Sequence, residues 1–279
     1  MDLHIRDSII FGEQNQSRLT PYITWLWDRG PINNDVTVFS DSHLEEAACH
    51  PSSCKIAILI EPPVVSGYAY EFIRVHSDLF QYIFTFDESL LSISNKFIPY
   101  TWGTPWIGKP ERKIYTKDRM VSIIASSKNF AEGHRLRHEV ANRYRDSMEL
   151  LGNGYRAIGN KTEGLAPYRY SVTIENCKID RYSVTIENCK IDSYFSEKLL
   201  DCFLTGTVPI YWGCPRIADF FDPDGIIVFD TSDDLGIILK YLSVEDYERR
   251  LPAIEHNFKQ VSEYEYFERR IYDFLKDKI

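Results

Sequence analysis

The chain has 279 residues, 44% hydrophobic and 26% charged, the balance expected of a soluble globular protein with room for two domains. Its net charge of −9 argues against nucleic acid as a general partner, because backbone phosphates demand a basic face, but it leaves room for a local basic cleft. No apolar run approaches membrane-spanning length and the opening MDLHIRDSII is not a signal peptide, so a cytoplasmic protein is expected, with any membrane attachment peripheral.

In chain order, residues 36–40 (VTVFS), 55–60 (KIAILI) and 82–86 (YIFTF) read as buried parallel strands, and Asp87 and Glu88 open a short helix after the third. Glu61, Pro62 and Pro63 follow the second strand directly, at its carboxyl edge. The stretch 97–113, FIPYTWGTPWIGKPERK, is rich in Pro, Gly and aromatics and reads as an interdomain connection. Residues 120–126 (MVSIIAS) begin a second domain as a strand and lead into a basic helix. His134, Arg135, Arg137 and His138 crowd the start of that helix, an arrangement suited to phosphate but also to a solvated face.

The twelve residues RYSVTIENCKID occur at 169–180 and again, unchanged, at 181–192. A single pair of such short units is not a repeat architecture, and one sheet slot admits one copy. The second copy is preferred for the strand, over 182–186, because a short connection then places Asn188 beside Lys198. If the first copy fills the slot, Asn176 replaces Asn188.

After the repeat, Ser196 caps a helix with Glu197 in its first turn, and Leu199, Leu200, Cys202 and Phe203 supply its buried face. Gly206 ends the helix, and 207–212 is a nearly continuous apolar strand. This is a βαβ unit, and such sheets bind ligands where strands end and helices begin. The helix N-terminus and Lys198 suit a diphosphate, whereas the Glu197 carboxylate suits a sugar diol, so the pair together fits a sugar nucleotide. An ordinary surface Glu–Lys pair would look the same in isolation. Further on, 233–242 and most of 244–279 read as helical, with Phe267, Ile271, Phe274 and Leu275 spaced for packing.

Six cysteines in a chain of this size do not form a disulfide framework, and Cys49, His50 and Cys54 lack an evident fourth metal ligand. Asp222 and Asp224 have the spacing of a metal-binding pair, but they lie in a Pro-containing polar turn where Asp is favoured anyway. No metal is expected.

The residues IENC, Tyr194, SEK and GTVPIYWGCP together resemble the C-terminal signature of the α-1,3-fucosyltransferases, glycosyltransferase family ten. Glu187, Asn188, Tyr194, Glu197, Lys198, Gly206, Pro209 and Gly213 fall at the family's spacing, while Ile186, Cys189 and Ser196 stand where it usually has Phe, Ser and Thr. The resemblance covers roughly 50 residues densely and the remainder weakly. It implies an α/β protein of the GT-B type, two Rossmann-like domains with parallel sheets facing across a cleft. The boundaries expected are 1–105 for an acceptor-side domain, 106–255 for a nucleotide-sugar domain, and 256–279 for a helix packing back on the first.

The implied activity is metal-independent, inverting transfer of fucose from GDP-fucose to a glycan hydroxyl, the acceptor being an oligosaccharide or surface polysaccharide. Another sugar nucleotide, or a catalytically inactive glycan- or nucleotide-binding protein, are the alternatives. The resemblance assigns Arg137 and Lys198 to the diphosphate, with Arg135 as the fallback for Arg137. It gives Asn188 and Tyr194 the placing of the phosphates and Glu197 the ribose. The family's base is a glutamate at a strand end of the first domain, and Glu61 occupies the comparable place, with Glu71 and Asp87 in reserve.

Overall fold

The computed structural model describes residues 1–7, 18–27, 35–175 and 193–279. The chain divides into two compact units, Met1–Trp102 with Tyr266–Ile279, and Gly103–Glu265.

The first unit is built on a seven-stranded sheet of β1 (Asp2–Arg6), β2 (Arg18–Leu19), β3 (Thr24–Trp27), β4 (Val36–Ser40), β5 (Cys54–Ile58), β6 (Tyr82–Thr85) and β7 (Phe97–Pro99), in the order β2-β3-β1-β4-β5-β6-β7. Every pairing is parallel except β2 with β3. Alternate residues of its central strands enter two separate cores, which explains their near-continuous apolar character. Val38, Ile56, Ile58 and Phe84 join one face, and Phe39, Ala57 and Ile83 the other. Helix α1 (Pro63–His76) covers the second face through Ala69, Tyr70 and Ile73. The C-terminal helix Phe267–Leu275 closes the first with Phe267, Ile271 and Leu275, and Phe274 packs partly buried beside them.

The prolines after Glu61 have a local reason. Pro62 is the N-cap and Pro63 the first residue of α1, where a missing N–H costs nothing. Asp87 caps α2 (Glu88–Leu91) by accepting the Leu90 N–H at 3.0 Å. The expected connection over 97–113 begins later than its composition implied, because Phe97–Pro99 pairs with β6 as the edge strand. Proline is tolerated at such an edge.

The second unit holds an all-parallel sheet of β8 (Arg119–Ile124), β9 (Glu149–Leu151), β10 (Tyr168–Ile174), β11 (Val208–Trp212) and β12 (Ile227–Val228), in the order β12-β11-β10-β8-β9. Its helices are α3 (Glu132–Arg143), α4 (Lys161–Leu165), α5 (Glu197–Phe203), α6 (Ser232–Tyr241) and α7 (Val244–Gln260). Gly206 lies between α5 and β11 at φ +72°, and a Cβ there would come within 2.7 Å of the Ile114 side chain, so both backbone and space require glycine.

The central strand β10 corrects the sequence expectation. Its residues Tyr170–Ile174 belong to the first copy of the repeat and pair with Val208–Trp212 on one side. Residues 168–172 of the same strand pair with β8 on the other. Only Ala166 and Pro167 separate α4 from this strand, so the first copy is delivered to the slot before the second is reached. The tight connection lies on the helix-to-strand side, opposite to the one assumed. The second copy, with Asn188, falls outside the described residues.

Candidate active site

A cavity of about 260 Å³ opens in the second unit, where β8 and β10 end and α3, α4 and α5 begin. That is the edge at which parallel α/β sheets place their ligands. The cationic side chains of Lys128, Arg137, Lys161 and Lys198 line it, with His134 and Glu197.

Each arm is anchored by the fold. Arg137, only 5% exposed, donates from Nε at 3.1 Å and Nη2 at 2.8 Å to the carbonyl of Ile174, the last residue of β10. Glu175, fully buried one residue further, accepts from the Ser196 N–H at 2.9 Å and its hydroxyl at 2.7 Å. The Lys198 ammonium lies 3.3 Å from the same carboxylate and 2.9 Å from Ser196 Oγ. Ser196 is also the N-cap of α5. One buried carboxylate therefore ties the strand end to the helix start and aims Lys198.

Glu197 is held by a second set of contacts. Lys161 Nζ lies 3.2 Å from its carboxylate and 2.8 Å from that of Asp201, one turn along α5. Asp201 in turn accepts the backbone N–H groups of Trp106 and Ile107 at 2.9 and 3.0 Å, and Lys161 lies 4.3 Å from the centre of the Trp106 ring. Burial alone would raise the Glu197 pKa, but the charges of Lys198 and Lys161 overcome it and hold the carboxyl at about 2. Burial likewise pulls Lys198 down, and Glu197 and Glu175 more than offset this, leaving it above the ordinary lysine value. The site thus presents a fixed ammonium and guanidinium beside a permanently ionised carboxylate. Cations of that kind suit a diphosphate, and the carboxylate suits a diol.

Of the residues read from the sequence, Arg137, Glu197 and Lys198 come together here. Arg135, two positions from Arg137 and hence on another side of the helix, is exposed, gives Nη1 to the Phe130 carbonyl at 2.9 Å, and does not line the cavity. Tyr194 is 5% exposed and does not line it either. Asn188 lies outside the described residues, and the strand-end glutamate is Glu175 of the first copy. Lys161, Asp201 and Glu175 escaped the sequence reading. Asp201 carried a signal, its i+4 relation to Glu197, and Glu175 carried one in the first copy of the repeat.

Glu61 belongs to the first unit, three residues beyond β5. Its backbone N–H donates to the Asp41 carboxylate at 3.2 Å and its carbonyl accepts the Tyr70 hydroxyl at 2.9 Å. Asp41 is fully buried and also accepts the Ile60 N–H. Burial raises its pKa to about 7, against the pull of those two N–H groups and with the help of the Glu61 and Asp7 charges. Of the reserves, Glu71 is exposed on α1 and Asp87 is engaged as the cap of α2.

Among the described residues no group of three or more His, Cys, Asp or Glu side chains is placed to hold a metal ion. The Asp222–Asp224 pair forms a turn, with Asp222 accepting the Asp224 N–H at 3.0 Å. No helix among the described residues is long and apolar enough to cross a membrane.

No family model matches the chain. An α-(1,3)-fucosyltransferase of Helicobacter pylori, FucT, is 32% identical over 92 residues, which are 32% of this chain and 16% of that protein. A crystal structure of an α1,3-fucosyltransferase with GDP-fucose superposes over 98% of this chain and 90% of its own, with a TM-score of 0.56 and 17% identity. The structure of TarM superposes over 86% of this chain and 54% of its own, with a TM-score of 0.58 and 10% identity. The chain has a GT-B glycosyltransferase fold and is similar, over about a third of its sequence, to an α-1,3-fucosyltransferase of the family-ten kind.

Proposed function

We propose that the protein is an inverting glycosyltransferase that moves fucose from GDP-fucose to a hydroxyl of a glycan. The observation that carries this reading is the cavity at the carboxyl edge of the second sheet, where Arg137 and Lys198 flank an ionised Glu197. The likeness to fucosyltransferases in sequence and fold supports the choice of sugar and nucleotide.

In this mechanism Glu61 takes the proton of the acceptor hydroxyl as its oxygen attacks the anomeric carbon. The bond to the diphosphate breaks on the opposite face, the configuration inverts, and the electron pair leaves with the β-phosphate oxygen. Arg137 and Lys198 neutralise the charge that develops there, the task a metal ion performs in other transferases. Glu197 accepts hydrogen bonds from the ribose hydroxyls, held ionised by Lys198 and Lys161 and oriented by its contact with Lys161.

Donor turnover with a panel of GDP- and UDP-sugars, with and without fucose-accepting glycans, tests the reading. Turnover of GDP-fucose above the rest supports it. Turnover of a different sugar nucleotide keeps the reaction class and changes the donor. Binding of GDP without turnover of any donor favours the inactive nucleotide-binding alternative.

A further inference from the structure

Helix α3 starts without a capping side chain of its own, since its N-cap residue is Ala131. His134, at the third helical position, supplies what is missing: its Nδ1 accepts the Ala131 backbone N–H at 3.2 Å, as a glutamate or glutamine would in a capping box. That bond selects the tautomer. With the Nδ1 lone pair engaged, the ring proton resides on Nε2.

The ring is 2% exposed and packs edge-on against Phe130, with centroids 4.5 Å apart. It lines the cavity among Lys128, Arg137 and Lys198. No protein acceptor meets Nε2 among the described residues. Burial, followed by the charges of Arg137, Lys128 and Lys198, pushes the pKa down to about 4. The imidazole is therefore neutral at physiological pH, a buried N–H donor facing a cationic cavity.

We propose that His134 is a further donor-binding residue, whose Nε2–H hydrogen-bonds a phosphate oxygen of the nucleoside diphosphate held by Arg137 and Lys198. This rests on the proposed function and adds to it the way the leaving group departs. Losing the Nε2 proton would leave an imidazolate, and gaining one on Nδ1 would break the helix cap. His134 thus lends a hydrogen bond and keeps its proton, and the diphosphate leaves without general-acid help from it. A neutral donor also adds a contact without a further charge to repel the cations already present.

Two near-isosteric variants separate this from a capping role, because both preserve the cap. His134→Gln keeps a carbonyl for Ala131 and an N–H for the cavity; His134→Glu keeps the cap and replaces the donor by an anion. In calorimetric titrations with GDP, His134→Gln should bind within about threefold of wild type and His134→Glu at least about tenfold more weakly, the scale of one hydrogen bond to a charged group. In wild-type protein the His134 Nε2 proton resonance should move downfield on saturation with GDP. The proposal is overturned if His134→Glu binds within threefold of wild type, or if that resonance does not move. Lys198→Ala serves as the reference: if it weakens GDP while His134→Glu does not, the functional reading survives and this inference falls. If wild-type protein does not bind GDP, both fall.

Discussion

The buried carboxylate of Glu175 and the ammonium of Lys198, 3.3 Å apart, join the end of the central strand β10 to the start of helix α5. Ser196 lies between them, donating its hydroxyl to Glu175 while it accepts from Lys198 Nζ. Removing the charge of Glu175 leaves its partners facing a weaker acceptor. Glu175→Gln should lower unfolding stability by about 2 kcal/mol, the scale of hydrogen bonds to a charged group. Denaturant unfolding of the two proteins measures it, and an unchanged midpoint would show that the strand–helix junction does not depend on this carboxylate.

Lys198→Ala removes one electrostatic stabiliser of the departing diphosphate. The expected loss in kcat/KM is about 2–4 kcal/mol, or roughly 30- to 1000-fold. A fall of less than tenfold removes Lys198 from the mechanism.

Glu61→Gln keeps the backbone bonds to Asp41 and Tyr70 and removes only the basic carboxylate. Turnover should fall about 100- to 10,000-fold while GDP affinity stays within twofold, since Glu61 acts on the acceptor. Retained turnover would pass the role to another group.

Asp41 predicts a pH dependence of stability. Its folded pKa, about 7, lies above the ordinary 3.8, so the folded state binds the extra proton between those values. Its contribution is fully present below pH 3.8 and is lost as pH rises towards 7, at about 1.4 kcal/mol per pH unit. Asp41→Asn retains an acceptor for the Ile60 and Glu61 N–H groups and should flatten this part of the stability profile. Urea midpoints at pH 5 and pH 7 for both proteins decide it; equal slopes would contradict the assignment.

Much of this architecture is legible because local chemistry and final environment agree. Residues 38–39 and 56–60 are apolar at successive positions because both faces of their sheet are covered, and Asp87 and Ser196 stand at helix starts whose N–H groups they accept. The first three strands escaped the sequence reading. β2 has two residues and no periodicity, whereas β1 alternates polar and apolar side chains, with Leu3 and Ile5 buried, a strand signal that went unread. The choice between the repeat copies could not be read locally, because identical sequences carry identical propensities. It was made by the short path from α4 into β10 and by the pairing of Tyr170–Ile174 with β11. Lys161 is a similar case: its contacts with Glu197 and Asp201 span 36 and 40 residues, and nothing near it in sequence announces them.

The repeat itself offers a test. Because its copies are identical, deleting either yields the same chain, in which one IEN segment leads to Tyr194 at the family's spacing. The melting temperature should stay within a few degrees and GDP affinity within about threefold, because a single copy supplies both β10 and Glu175. Loss of folding on deletion would show that the second copy carries structure of its own.

A crystal structure of the protein soaked with GDP tests the central claim most directly. The account predicts the diphosphate within hydrogen-bonding distance of Arg137 and Lys198, with the ribose hydroxyls on the Glu197 carboxylate. A nucleotide bound elsewhere, with Arg137 and Lys198 pointing away from it, would contradict the account.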